Sequence, residues 1–277
     1  MRRAFWCSLS FLLILAFCNQ PGYAQAKYSV AYNFGMHAND GSMPNGGLLF
    51  DQAGNIFGTT QRGGTGTGCG PQSCGTVFEL SSSQSGSWTE TVIYNFCSEA
   101  NCADGSIPKA GLIFDDAGNL YGTTYGGGEQ GCDCGTVFRL SHPRVPGANW
   151  DETVLWSFGS ITDDGAGPDG KLSWDPAGNL YGTTSQGGGG VGSVFQLSPQ
   201  MNGWTETELY AFCPLGPPNC PDGFYPLAGV TFDAAGNLYG TTSRRNIQSR
   251  GGVRTDPVVA PFYCTTAVVS CFNFSAW

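Results

Sequence analysis

Histidine is nearly absent from this sequence: His37 and His142 are the only two among 277 residues. A Ser-His-Asp constellation is hard to assemble from so few, and no serine sits in a recognisable nucleophile elbow. Charge is scarce as well, at 12% of residues, and positive charge is scarcest, with 12 Lys and Arg against 21 Asp and Glu. Such a chain has no electrostatic footprint for nucleic acid, and an anionic membrane surface is an equally poor partner. Beyond the N-terminal segment no stretch approaches twenty uninterrupted apolar residues, so no integral membrane segment is expected in the mature chain. A helical composition is missing too, because 43 glycines suit many tight turns instead.

The N-terminal segment reads as an address. Arg2 and Arg3 precede an apolar run over residues 5–18, and Ala24-Gln25-Ala26 forms a small-residue cleavage site. Residues 1–26 are therefore expected to be removed as a signal peptide between Ala26 and Lys27, which takes the net charge from −9 to −11. Phe17 before Cys18 is too bulky for a lipoprotein acceptor site. The expected location is exported: secreted, periplasmic or at the cell surface.

The remainder repeats itself. A fourteen-residue phrase occurs four times, as GLLFDQAGNIFGTT (47–60), GLIFDDAGNLYGTT (111–124), KLSWDPAGNLYGTT (171–184) and GVTFDAAGNLYGTT (229–242). Its aspartates, Asp51, Asp115, Asp175 and Asp233, are 64, 60 and 58 residues apart, a period that marks a repeat architecture. Each copy predicts two short strands around a turn. The Asp side chain accepts from backbone two residues on, and Gly54, Gly118, Gly178 and Gly236 take the left-handed position at no steric cost. These residues are expected to be turn formers in a hairpin with a type I turn and a glycine bulge.

Around the phrase the same parts recur. A third strand follows a glycine-rich loop, as GTVFEL (75–80), GTVFRL (135–140) and GSVFQL (192–197). A fourth strand begins with Trp, at 88–96, 150–158 and 204–212. Then comes a loop with Asp-Gly at Asp40, Asp104, Asp164 and Asp222, and a Pro at 44, 108, 168 and 226. Four antiparallel strands per unit, in tandem, predict an all-β fold: a β-propeller of four-stranded blades, about four of them. The segment 27–34 reads as an orphan fourth strand, able to complete a composite last blade and close the ring, the alternative being an incomplete ring. The domain expectation is a repeat domain over 27–243 and a divergent tail over 244–277. Residues 27–243 carry a net −14 and the tail +3, and the tail lacks a recognisable third strand. The break falls inside a repeat, which points to a late frameshift over a disordered or partner-binding tail.

Ten cysteines remain in the mature chain, in close pairs: Cys69-Cys74, Cys97-Cys102, Cys132-Cys134, Cys213-Cys220 and Cys264-Cys271. Pairs appear and vanish together between equivalent loops, as local disulfides of an exported protein do. Zinc is the weaker reading, because both histidines lie far from these spacings and each pair stays within one loop.

The phrase with its GTT ending, the glycine loop and the GxVFxL strand together resemble the GloVer-type ("choice-of-anchor") tandem repeat of bacterial surface proteins over residues 27–243. The resemblance implies an exported, surface-associated, non-enzymatic repeat protein, and it brings no catalytic residues. Such proteins usually end in an anchoring signal; no sorting motif is visible here. The Asp-x-x-Gly-Asn-Leu-Tyr element alone is also similar to NHL-type and lactonase-type propellers. The expected function is a binding or scaffold module for an extracellular glycan or protein, with no cofactor. The alternative is a propeller enzyme, a lactonase-like metal hydrolase or a glycosidase, with carboxylates at a channel mouth. Asp40, Asp104, Asp164 and Asp222 are expected to make loop turns; facing a common channel they would instead ring a cation such as calcium. Glu90, Glu152 and Glu206, on the outermost strand, are expected to be solvated. In a repeat protein recurring residues serve the fold, so a site is sought where the repeats differ.

Overall fold

A computed structural model describes residues 28–129, 131–145, 147–161, 164–216, 220–246 and 270–274. The signal segment with its Ala26–Lys27 junction, and Cys264 of the last cysteine pair, lie outside them. The described part is all-β and antiparallel, with two single-turn 3-10 helices. None of its helices is long and apolar enough to cross a membrane.

The first sheet runs β1 (Gly41–Pro44), β3 (Ile56–Gly63), β4 (Thr76–Ser82), β5 (Trp88–Asn95), with β2 (Leu49–Phe50) also paired to β3. The second runs β6 (Ile113–Phe114), β7 (Leu120–Thr124), β8 (Thr136–Ser141), β9 (Asp151–Ser157). The third repeats the first: β10 (Gly165–Pro168), β12 (Leu180–Gly187), β13 (Ser193–Gln200), β14 (Gly203–Ala211), with β11 (Ser173–Trp174) beside β12. The Asp-Gly segments, read above as loop, thus contribute strands. The edge strand of the first and third sheets is two short pieces, and β1 and β10 take the far half of the long second strand, where the second sheet has only a bridge between Ser106 and Gly126.

The fourth repeat is built from β15 (Cys220–Phe224), β16 (Thr231–Phe232), β17 (Leu238–Thr242), β18 (Arg244–Asn246) and β19 (Ser270–Phe274). Two expectations are corrected here. A third strand is present: β19 pairs β17 with Gly240 opposite Phe272 and Thr242 opposite Ser270, the register of Gly58 with Phe78 and Thr60 with Thr76. The sequence SCFNF hid it, because its pattern departs from VFxL while its backbone pairing does not. The repeat also runs past Ser243, since Arg244 of β18 pairs with β15. The orphan segment, in contrast, forms no strand over its described residues, 28–34. Phe34 is held by its ring, 4.7 Å from that of Phe78, rather than by a ladder. The sheets accordingly do not close, and β19 has no fourth-strand partner among the described residues.

Each phrase builds its turn in the same way. Asp115 Oδ1 accepts the N–H of Ala117 and of Asn119, both at 2.9 Å, and Oδ2 accepts Asn119 Nδ2 at 2.7 Å. Asp51, Asp175 and Asp233 make the same three bonds. Gly118 takes φ +82° in the turn, and its three equivalents are likewise positive. In the last three copies a tyrosine hydroxyl (Tyr121, Tyr181, Tyr239) also donates to the aspartate.

The GTT ending has a separate task at each residue. A Cβ at Gly58, Gly122 or Gly182 would meet the ring of Phe78, Phe138 or Phe195, which lies across the glycine from the neighbouring strand. In the first and third copies the next hydroxyl reaches the following repeat, Thr59 Oγ1 donating to Ala110 O at 2.8 Å and Thr183 Oγ1 to Ala228 O at 2.9 Å, whereas Thr123 Oγ1 is buried without a partner among the described residues. The last pairs with the third strand of its own sheet, Thr60 with Thr76, Thr124 with Thr136 and Thr184 with Ser193, at 2.8–2.9 Å. All six of these hydroxyl-bearing partners are buried, where an unpaired hydroxyl is costly.

The apolar core lies between sheets. One cluster joins Phe57, Val77 and Phe96 to Leu112, Leu120 and Phe138; the next joins Tyr121, Val137 and Phe158 to Leu172, Leu180 and Phe195; a third joins Tyr181, Val194 and Phe212 to Val230 and Leu238. The fourth-strand Phe packs edge-on against the next third-strand Phe, Phe96 on Phe138 at 5.0 Å and Phe158 on Phe195 at 5.1 Å. Trp174 is half-buried against Tyr121 at 4.9 Å. In the Gly122→Ala variant the new methyl would lie 2.7 Å from the Phe138 ring. Overpacking of this kind costs about 1–3 kcal/mol, so a urea titration followed by circular dichroism should show a lower midpoint with the slope unchanged.

Candidate functional site

The recurring Pro and the GTT phrase deliver the variable residues that follow them to one place, two from each of the first three repeats and one from the fourth. After Pro stand Asn45, Lys109, Asp169 and Leu227; after GTT stand Gln61, Tyr125 and Ser185. These seven residues, with Gln186 and Tyr225, line a single cavity of about 540 Å³. All four repeats contribute, and almost every contribution is chemically different. This is where the repeats differ.

Lys109 organises the cavity. Its Nζ lies 3.2 Å from Asp169 Oδ1 and 3.1 Å from the centre of the Tyr125 ring. The ammonium therefore links repeats two and three by the ion pair while a cation–π contact seats it on Tyr125 of its own repeat. Gln186 Nε2 donates to the Tyr125 hydroxyl, and Ser185 Oγ donates to Gly167 O at 2.8 Å. Across the cavity the Arg244 guanidinium lies 5.4 Å from the centre of the Tyr225 ring. Burial raises the Asp169 carboxyl above its usual range, and Lys109 opposes that rise without cancelling it. Burial and the Asp169 charge together raise the Tyr125 phenol. The result is a polar cleft with amides, hydroxyls, two tyrosines and an internally neutralised ion pair.

Asp40, Asp104, Asp164 and Asp222 do not line this cavity. Each bonds the start of its own loop. Asp40 Oδ2 accepts Gly35 N at 2.8 Å, Asp104 Oδ2 accepts Ser98 N at 2.9 Å, Asp164 Oδ2 accepts Gly159 N at 3.0 Å, and Asp222 Oδ2 accepts Cys213 N at 3.1 Å. Tyr94 and Tyr210 add their hydroxyls to Asp104 and Asp222 at 2.9 and 2.8 Å.

The glutamates on the fourth strands overturn their expected exposure. Glu206 is buried and Glu90 and Glu152 are half-buried, each facing the loop aspartate of its repeat. Burial first, then the neighbouring Asp40, lifts the Glu90 carboxyl to about 7. Burial and Asp104 lift Glu152 to about 8, and burial and Asp164 lift Glu206 to about 7. Glu90 Oε1 and Asp40 Oδ1 are both buried without a hydrogen-bond partner, and a proton held by Glu90 removes the repulsion between them. Their place on the outermost strand suggested solvent; the loop that carries the aspartate is what covers these side chains. Three repeats carry the pair, so it belongs to the scaffold.

The cysteines pair as neighbours: Cys69–Cys74, Cys97–Cys102, Cys132–Cys134 and Cys213–Cys220 are at disulfide distance, with Cα separations of 5.2, 4.0, 5.2 and 4.6 Å. Local spacing made these pairs legible. That two of them meet in space is visible only once the sheets are placed.

These features define a tandem-repeat protein of antiparallel β-sheets. The chain belongs to the Gloeobacter/Verrucomicrobia repeat family, whose model matches residues 21–254. None of the curated proteins matches it. Among solved structures it is similar to a luciferin-regenerating enzyme at 17% identity and a TM-score of 0.42, over 75% of this chain. The chain spans 56% of the length of that structure.

The titrating groups give stability a pH profile. A glutamate whose folded value is raised favours the folded state below its unfolded value of about 4, and that advantage is lost as pH rises to the folded value. Glu90, Glu152 and Glu206 therefore lower stability between about pH 4 and about pH 7–8. The turn aspartates act oppositely. Hydrogen bonds to Asn237 and its neighbours hold Asp233 down at about 2, and Asp115 and Asp175 are lowered by the same bonds against some burial. Their contribution is present above their unfolded value and is lost as pH falls through the folded one. Thermal melts across pH should thus peak near about pH 4–5, and Glu152→Gln should flatten the decline towards pH 8.

Proposed function

We propose that this protein is an exported binding module that holds a glycan in the cavity lined by Lys109, Tyr125, Asp169 and Gln186. The observation that carries this reading is the segregation of variable from recurring residues. Positions that repeat are consumed by turns, by the glycine–phenylalanine overlays and by buried hydroxyl pairs. The positions that differ converge on one polar cleft. Amide and hydroxyl groups beside aromatic rings are what polyhydroxylated ligands require. The four repeats read as blades of an incomplete propeller around this cleft, supported by the shared strand order of the sheets. Export is supported by the disulfide-distance cysteine pairs.

The hydrolase alternative fares less well on the same cavity. It asks for several converging carboxylates, and the lining supplies Asp169 alone, already tied to Lys109. A panel of neutral, acidic and amino sugars, followed by thermal melts, tests the binding reading. A bound sugar at 100 times its dissociation constant should stabilise the protein by about 2.7 kcal/mol. Gln186→Ala and Tyr125→Ala should lose that gain while the unliganded protein still melts cooperatively. Absence of a shift with every sugar, or a shift that survives both substitutions, would refute it.

A further inference from the structure

The contact between the first and second repeats holds two disulfides side by side. Cys69–Cys74 closes the loop between β3 and β4, and Cys97–Cys102 closes the loop after β5. The Sγ atoms of Cys69, Cys74 and Cys102 all lie within 4.8 Å of one another. A methyl on Gly68 would run into the sulfurs of both Cys97 and Cys102, so the first loop approaches the second at a residue without a side chain. Three of the four sulfurs of the two C-x4-C loops thus cluster, and the fourth, Cys97 Sγ, is bonded to Cys102. Cys69 and Cys102 are half-buried at the wall of a cavity of about 820 Å³, which gives small reagents access.

Both loops are also fixed by backbone bonds that involve no sulfur. Cys74 O accepts Ile107 N at 2.7 Å, and Cys97 N donates to Gly105 O at 3.0 Å. Opening the disulfides leaves these bonds in place, so the thiols stay together. Tetrahedral zinc with thiolate bonds of about 2.3 Å needs sulfurs roughly 3.8 Å apart, a modest closure from the observed spacing. The other repeat junctions supply an internal control. Gly159 stands where Cys97 would be and packs against Cys132 and Cys134, and Val191 stands where Cys74 would be and packs against Cys213 and Cys220. Each of those junctions has a single pair.

We propose that Cys69, Cys74, Cys97 and Cys102 form a tetrathiolate site for a soft divalent cation, zinc in the first place, once both disulfides are reduced. A dithiol reductant supplies two electrons and two protons to each disulfide and leaves as its own cyclic disulfide. Zinc then displaces four protons from the four thiols. The same two loops are clamped in either state, by two S–S bonds or by one metal.

The test reduces the purified protein with a phosphine, which does not compete for the metal, and titrates it anaerobically with Co²⁺ and then Zn²⁺. One equivalent of Co²⁺ should bind with the thiolate charge-transfer absorption of a tetrahedral site, and Zn²⁺ should bleach it. The oxidised protein should bind none. Cys97→Ser/Cys102→Ser should weaken binding by more than the roughly 100-fold that loss of an outer-shell partner costs, and Cys132→Ser/Cys134→Ser should leave it unchanged. Cooperative melts of each reduced variant verify folding. Three results would overturn the proposal: no uptake by the reduced folded protein, equal uptake by the two double variants, or a reduced protein that melts without cooperativity and is not restored by zinc.

Discussion

A phenylalanine ring laid across a glycine is the contact on which the structure depends. Phe138 covers Gly122, and the same overlay joins Phe78 to Gly58 and Phe195 to Gly182. The glycine lacks the atom that would push the ring away. The ring in turn receives the terminal phenylalanine of the preceding fourth strand, Phe96 on Phe138 and Phe158 on Phe195. One contact therefore sets the spacing within a sheet and the seat of the previous sheet. The buried threonine bonds on either side fix direction, one towards its own third strand and one towards the next repeat.

This economy leaves other positions free. Once the phrase, the third strand and the fourth-strand aromatics are committed to the scaffold, the residues after Pro and after GTT carry no structural duty that all repeats share. They reach the same cavity from four sides and have diverged there, to Asn45, Lys109, Asp169 and Leu227. A single ion pair within that set also joins two sheets, so the cleft helps to hold its own walls together.

What could be read from the sequence was what neighbouring residues decide. The Asp-x-Ala-Gly-Asn turn is closed by bonds within five residues, and close cysteines find each other first. Longer-range relations stayed hidden. Glu152 stands on the strand read as outermost, yet the loop carrying Asp104 covers it. The strand at Ser270–Phe274 lies far along the chain from its partner and shares little of the VFxL pattern, so only backbone register identifies it. The segment before Phe34 has strand-like residues and no ladder; its aromatic end is held by Phe34 on Phe78 and by Tyr32 on Phe34 and Glu90. The cavity was legible as a principle, that a site lies where repeats differ, and Lys109 and Tyr125 stand among the non-recurring residues of the sequence; that they meet Asp169 and Gln186 shows only once the sheets are placed.

The three core clusters each straddle two consecutive repeats. Every repeat thus offers one face to the unit before it and a matching face to the unit after. A gene that duplicates or deletes one whole period leaves complementary surfaces at the new junction, whereas a cut within a period destroys two half-cores. Lineages built on this unit can therefore change length by recombination in steps of one repeat, and each step also alters the set of side chains presented to the cleft.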